Sequence, residues 1–301
     1  MKLKIINYPV SQVLIDSPNY PQRLKQLSRP PNRLYYRGVW QETLFSKTLA
    51  IVGSRRATNY SERVLDLLLP SLIAEGVTII SGFMYGVDTL AHQKCLENGG
   101  RTIAVLGGGL NVLYPPENEK LYQEIIQNGL IISEYPPDQQ PQLWTFIQRN
   151  RLVAALSTLG VLVVEAGEKS GSLVTAKLAR ELGKPVLAIP GPITSSVSQG
   201  TNELIRRGWA KPVLEASDIL PLSSVSLFSE KSSNPHSPEG QILTWLAAEP
   251  LTLDELALKL NQPVAKVSQI LILMALKNEI TEENGQYFPK TTPIASKIIE
   301  K

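Results

Sequence analysis

Glycine recurs beside hydroxyl, guanidinium or ammonium side chains at several points of this 301-residue sequence, each time after a short apolar run. The first such stretch is Gly53-Ser54-Arg55-Arg56-Ala57-Thr58. The most extended is Glu165-Ala-Gly-Glu-Lys169-Ser170-Gly171-Ser172, with Thr175 close behind. Ser81-Gly82, Gly107-Gly108-Gly109, Pro190-Gly191 and Gly200-Thr201 follow the same habit. These residue types suit the capture of an oxyanion. Glycine lets the backbone approach closely, the first N–H groups of a helix face the anion, and hydroxyls and guanidinium forks bond its oxygens. In the first stretch Gly53 supplies the approach, Ser54 and Thr58 supply hydroxyls, and Arg55 supplies a bidentate grip. A tight strand-to-helix turn with solvated arginines would look the same in isolation. Neither the GxGxxG dinucleotide fingerprint nor a GxxxxGK[ST] loop occurs.

A different chemistry is suggested at residues 144–151, Trp-Thr-Phe-Ile-Gln-Arg-Asn-Arg. Trp144 and Phe146 stand beside Arg149, Asn150 and Arg151 where a helix should begin. Aromatic faces stack unpaired bases and arginines hold the backbone between them, so this segment joins the nucleic-acid-binding candidates. The competing reading puts both rings in the core and pairs the arginines with acids. Asp88 and His92, four residues apart on one helix face, could do acid–base work, but no nucleophile or third ligand accompanies them. A bracing aspartate and a satisfied histidine are the plainer expectation, and neither a catalytic residue, a metal site nor a cofactor is expected. Cys95 is the sole cysteine, so no internal disulfide can form.

The elements that must carry these residues are written in hydropathy. Apolar, β-branched runs at 49–52, 77–80, 102–106, 130–133, 161–165 and 185–189 alternate with stretches of helical spacing at 61–75, 87–98, 117–128, 146–156 and 172–182. The pattern predicts an α/β fold, a Rossmann-like and mostly parallel sheet with helices on both faces. Four domain segments are expected. Residues 1–36, with five prolines, form an extended strap, and residues 37–220 form the Rossmann-like binding domain. Residues 221–238 form a serine- and proline-rich linker. Residues 239–301 predict three helices and a hairpin turned at Asn284-Gly285, which is a winged helix.

Charge narrows the function classes. The net charge of +3 is small, and residues 37–220 hold as many acids as bases. The large domain is therefore no polycation, and any anion must be held by a local cluster. Residues 239–301 carry six bases against eight acids, a poor phosphate gripper. No apolar run is long enough to span a bilayer and the N-terminus lacks the features of a secretion signal, so a cytoplasmic protein without membrane contact is expected.

Taken in order, GSRRAT (53–58), SGFMYGVDTLAH (81–92), VLGGGLNVLYPPEN (105–118), SEY (133–135), RNRLVAALS (149–157), VVEAGEKSGSLVTA (163–176), AIPGPI (188–193) and GTNELI (200–205) resemble the DNA-processing protein A (DprA/Smf) family. The resemblance runs over about residues 20–220. Ser61, Ile147-Gln148, Ala155 and Trp209 depart from that family's usual pattern. The resemblance implies a non-catalytic, homodimeric protein that binds and protects single-stranded DNA during natural transformation and loads a RecA-type recombinase onto it. Its nucleic-acid contacts would then be Gly53, Ser54, Arg55, Thr58, Trp144, Phe146, Arg149, Asn150, Arg151, Lys169, Ser170, Gly171 and Ser172. Two other readings compete. One is a phosphoribohydrolase-like nucleotide enzyme using Glu165 and Glu168. The other is a regulator whose winged helix reads duplex DNA through residues 264–277, a helix with few polar side chains.

Overall fold

The computed structural model describes residues 8–220, 238–246, 248–276, 280–283 and 285–289. The chain divides into two compact units, residues 1–224 and residues 225–301.

The first unit runs β1 (Ser11–Leu14), α1 (Gln22–Lys25), β2 (Arg33–Gly38), β3 (Thr48–Val52), α2 (Asn59–Ala74), β4 (Thr78–Ser81), α3 (Val87–Glu97), β5 (Thr102–Val105), α4 (Glu119–Asn128), β6 (Leu130–Ser133), α5 (Leu143–Leu156), β7 (Val161–Val163), α6 (Gly171–Glu181), β8 (Val186–Ala188), α7 (Gln199–Arg206) and β9 (Lys211–Pro212). Its nine strands form one sheet in the order β1-β2-β6-β5-β4-β3-β7-β8-β9. From β6 to β9 every neighbouring pair is parallel. Strands β3 to β7 are buried at every residue, which is why each reads as an unbroken apolar run. One apolar cluster gathers α5, α6 and the sheet face beneath them, and another gathers Leu121, Tyr122, Ile125 and Ile126 of α4 with Phe83 and Leu110. The α/β layering read from hydropathy is thus the observed architecture.

The segment expected to be a strap contributes to the sheet itself. Strand β2 pairs antiparallel with β6 and β1 pairs antiparallel with β2, extending the parallel sheet at one edge. Prolines 9, 18, 21, 30 and 31 all fall outside these two strands, where a missing N–H costs no ladder bond. Arg37 of β2 is 6% exposed, and its guanidinium donates to the carbonyls of Tyr8 and Leu110 and to Asn111 Oδ1, tying the edge to the loop after β5.

The second unit contains α8 (Pro238–Leu246), β10 (Leu251–Thr252), α9 (Leu253–Leu260), α10 (Val264–Leu276), β11 (Ile280–Glu283) and β12 (Gln286–Pro289). The strands pair in the order β10-β12-β11. Ile242, Leu246, Leu256, Val267, Leu271 and Met274 form the core of this winged helix. A capping box between Thr252 and Glu255 starts α9, and Asn261 ends it in the left-handed region at φ 52°. The predicted linker except Pro238, and the predicted helix and turn residues Lys277, Glu279 and Asn284, lie outside the described residues.

His92 is buried within α3, and its Nε2–H donates to the Gly82 carbonyl at 2.6 Å. Nδ1 lies 2.6 Å from Thr102 Oγ1. Burial, opposed only in part by the Gly82 bond, lowers its pKa from 6.5 to about 4. The unfolded chain therefore takes up a proton that the folded imidazole refuses, and stability falls as pH drops from 6.5 towards 4. Urea denaturation should show wild type losing about 2 kcal/mol relative to His92→Gln between about pH 6.5 and 5. Parallel pH profiles for the two proteins would contradict a neutral, buried His92.

Candidate nucleic-acid interface

Strand order decides where a ligand can sit. From β3 the chain steps one way through β4, β5 and β6, and it later returns to the other side of β3 as β7, β8 and β9. The loops leaving β3 and β7 consequently diverge and leave a crevice at the carboxyl edge of the sheet, the usual ligand position in open α/β folds. A cavity of about 1010 Å³ occupies it. The β3–α2 loop contributes Gly53, Ser54, Arg55 and Arg56, and the loop into α6 contributes Gly167 to Ser172. Gly82, Tyr85, Asp88, Phe146, Arg149 and Asn150 line the remaining wall.

The β3–α2 turn is held from below by Glu165, which is 2% exposed. Its carboxylate accepts from Thr58 N at 2.9 Å, Thr58 Oγ1 at 2.7 Å and Ser61 Oγ at 2.6 Å. Its own backbone carbonyl accepts from Ser54 N at 2.6 Å. Both carboxylate oxygens are therefore engaged in shaping the turn. From the other side Gly86, at φ +75°, lets the β4–α3 loop lie directly on Arg55; a Cβ there would come within 2.2 Å of the Ser54 carbonyl oxygen. Thr58 caps α2 by accepting from Tyr60 N, and Ser170 caps α6 by accepting from Ser172 N. Gly171, the first residue of α6, borders open space, so an anion can reach the start of that helix.

The guanidinium groups divide into two kinds. Arg55 and Arg56 are exposed. Arg55 lies 5.8 Å from the centroid of the Phe146 ring, which itself rests against Gly107 and so serves as its shelf. Arg149, by contrast, is 3% exposed and forms the floor of the cavity. Its Nη1 donates to the Val105 carbonyl oxygen, and its terminal nitrogens and Asp88 Oδ2 converge on the empty side-chain position of Gly82. Burial raises the pKa of Asp88, with the nearby Arg149 charge opposing the shift. Burial likewise lowers that of Arg149, opposed by Asp88. Exposed Lys169 adds a further positive charge at the rim, next in the chain to exposed Glu168.

Of the thirteen residues singled out in the sequence, Gly53, Ser54, Arg55, Phe146, Arg149, Asn150, Lys169, Ser170, Gly171 and Ser172 border this one cavity. Three do not. Thr58 gives its hydroxyl to Glu165. Arg151 turns away from the crevice to pair with half-buried Glu134. Trp144 is 51% exposed beside Tyr135, with its indole N–H donating to Gln142 Oε1. Helix periodicity explains the division within α5: Phe146, Arg149 and Asn150 share one face, while Trp144 and Arg151, seven residues apart, share another. Sequence reasoning passed over Arg56 and Tyr85, both on the cavity wall. It considered Glu165 only as a possible reactive carboxylate; its position at the end of β7, opposite a turn rich in N–H and O–H donors, was the available signal. Among the described residues no cluster of side chains could hold a metal ion.

A family model described as DNA recombination-mediator protein A matches residues 11–223, and one described as DprA winged helix domain matches residues 229–286. Protein Smf of Escherichia coli (strain K12) is 37% identical over 284 residues, spanning 90% of this chain and 75% of that protein. The X-ray structure of DNA processing protein A from Streptococcus pneumoniae is similar with a TM-score of 0.66 at 39% identity, covering 71% of this chain and 73% of the other. DNA processing protein A from Helicobacter pylori, whose structure was described for its single-stranded DNA binding mode, gives a TM-score of 0.64 at 36% identity. That match covers 72% of this chain and 95% of the other.

Removing the Glu165 carboxylate strands three donors at the base of the turn. Glu165→Ala should lower unfolding stability by about 3 kcal/mol in urea denaturation and accelerate amide exchange at Thr58. Unchanged exchange at that amide would deny Glu165 its structural role.

Proposed function

Because the chain belongs to the DNA recombination-mediator protein A family, we propose that it is a cytoplasmic single-stranded DNA-binding protein whose strand passes through the β3/β7 crevice. The observation that carries this reading is the convergence on one open cavity of exposed Arg55, Arg56 and Lys169 with the glycine- and serine-rich start of α6. Arg55, shelved on Phe146, takes a phosphate. Ser170, Gly171 and Ser172 take another through hydroxyl and backbone groups. Arg149 supplies positive potential from the floor, Lys169 does so from the rim, and Asn150 offers an amide on the wall. Gly53 and Ser54 shape the approach. The family is described as a recombination mediator, so binding, without bond making or breaking, is the activity.

In this reading the protein protects incoming strands during transformation and hands them to a RecA-type recombinase as a homodimer. Exposed Leu67 and Leu214, 67% and 71% accessible, flank a groove beside α2 and supply apolar surface that a second copy could cover. Among the described residues no helix is long and apolar enough to cross a membrane.

Contacts to phosphate carry no base information. Arg55→Ala should therefore weaken binding to oligonucleotides of every sequence alike in a filter-binding assay. If about four to six phosphates are neutralised, log K should fall against log salt with a slope of about −3 to −4, and the variant should be shallower by about 0.7. Wild-type affinity and slope in the variant would remove Arg55 from the interface. Sedimentation should return the mass of two chains, and a monomer at micromolar concentration would end the dimer proposal.

A further inference from the structure

Aromatic side chains extend from Phe146 along the β4 and β5 side of the cavity, on the other side of β3 from the start of α6. The Phe146 ring lies 5.7 Å from that of Tyr114, which lies 6.4 Å from that of Tyr85. These three, with Arg55, form a connected row of one guanidinium and three rings. Their supports are the β3–α2 loop, α5, the loop after β5 and the β4–α3 loop, at the same carboxyl edge of the sheet. Tyr114 and Tyr85 are 41% and 38% exposed, unlike Phe83, Tyr122 and Tyr135, which are buried. Tyr85 is held by its hydroxyl, which donates to Glu117 Oε2 at 2.8 Å, so its ring is braced and the exposed surface is that of the aromatic body.

We propose that Tyr114 and Tyr85 form a base-stacking track along the β4 and β5 side of the phosphate cavity, so that the ligand is a run of several unpaired nucleotides and not a single nucleotide or free phosphate. This rests on the cavity being the phosphate holder. The interplanar angles of 41° and 74° leave no parallel slot between rings, so bases lie on the row and do not intercalate within it. Strands β7, β3, β4 and β5 are consecutive in the sheet, so cradle and track together span about 14 Å at roughly 4.8 Å per strand. A stacked strand rises roughly 3.4 Å per nucleotide, so a mononucleotide falls well short of that distance. Duplex bases keep their faces covered by their neighbours, and the track consequently selects single strands without selecting a sequence.

The test is equilibrium binding of a thymidine oligonucleotide of about 12 residues and an abasic oligomer of equal length to the full chain. The proteins are wild type, the double variants Tyr85→Leu/Tyr114→Leu and Tyr85→Phe/Tyr114→Phe, and Arg55→Ala. Leucine keeps apolar volume and removes the π face; melting temperatures establish folding, and the single variant Tyr85→Leu serves if the pair does not fold. The leucine pair should bind the thymidine strand about tenfold more weakly, the phenylalanine pair, which keeps both rings but not the Glu117 bond, should bind it clearly more tightly than the leucine pair, and none of the tyrosine variants should alter abasic binding. Equal binding of the thymidine strand by wild type and the leucine variant overturns the track, as does an equal loss on both oligomers. Arg55→Ala reports separately on the cavity, because it should weaken both oligomers; its failure to do so strikes the phosphate reading while the contrast between base-bearing and abasic strands still decides the track.

Discussion

A carboxylate that is 2% exposed must have its charge met by donors at close range, and Glu165 draws three of them from a single turn. That requirement joins the end of β7 to the start of α2 across the crevice. With Ser54 N bonded to the Glu165 carbonyl, the β3–α2 loop has little freedom to collapse into the space beside it. An anion entering the crevice thus meets groups already in place, and the ordering cost is borne by folding and not by binding. Gly86 completes the arrangement, since only a residue without a side chain can lie so close to the Arg55 backbone at positive φ.

The charges of the crevice work at two depths. Arg149 on the floor cannot leave its carbonyl partner and Asp88, so it contributes potential and shape. Arg55 stands in solvent above an aromatic shelf, where its donors remain available. A domain with equal numbers of acids and bases can in this way present a locally positive hollow, because the cavity gathers Arg55, Arg56, Arg149 and Lys169 against Asp88 and Glu168, while other acids pair elsewhere: Glu134 with Arg151, Glu203 with Arg206 and Arg207, and Glu62 and Asp66 with Lys94. Such a hollow concentrates positive potential at the loops and not over the rest of the surface.

The winged helix is a different kind of surface. Its exposed side chains include Leu258, Val264, Ile272 and Leu273, and Thr252–Glu255 places acids in the first turn of α9. Helix α10 exposes Val264, Ile272 and Leu273 alongside Lys266 and Gln269, an apolar share larger than a duplex-reading helix usually shows.

Much of this protein was legible from residue order alone. Alternation of apolar runs with amphipathic segments requires a parallel sheet, because strands buried on both faces leave no polar positions, and glycines and hydroxyls after those runs mark the ligand edge. Residues 53–55 and 169–172 needed only that logic. Which residues of α5 face the crevice did not follow: Phe146, Arg149 and Asn150 share the side that lines it, while Trp144 and Arg151 share another. Nor did the joining of β1 and β2 to the sheet, which depends on pairing with β6 about a hundred residues away. The role of Glu165 and the row from Arg55 to Tyr85 were likewise settled by tertiary structure. Both arise from strand order, which brings the ends of β7, β3, β4 and β5 side by side, and no local pattern records which strands become neighbours.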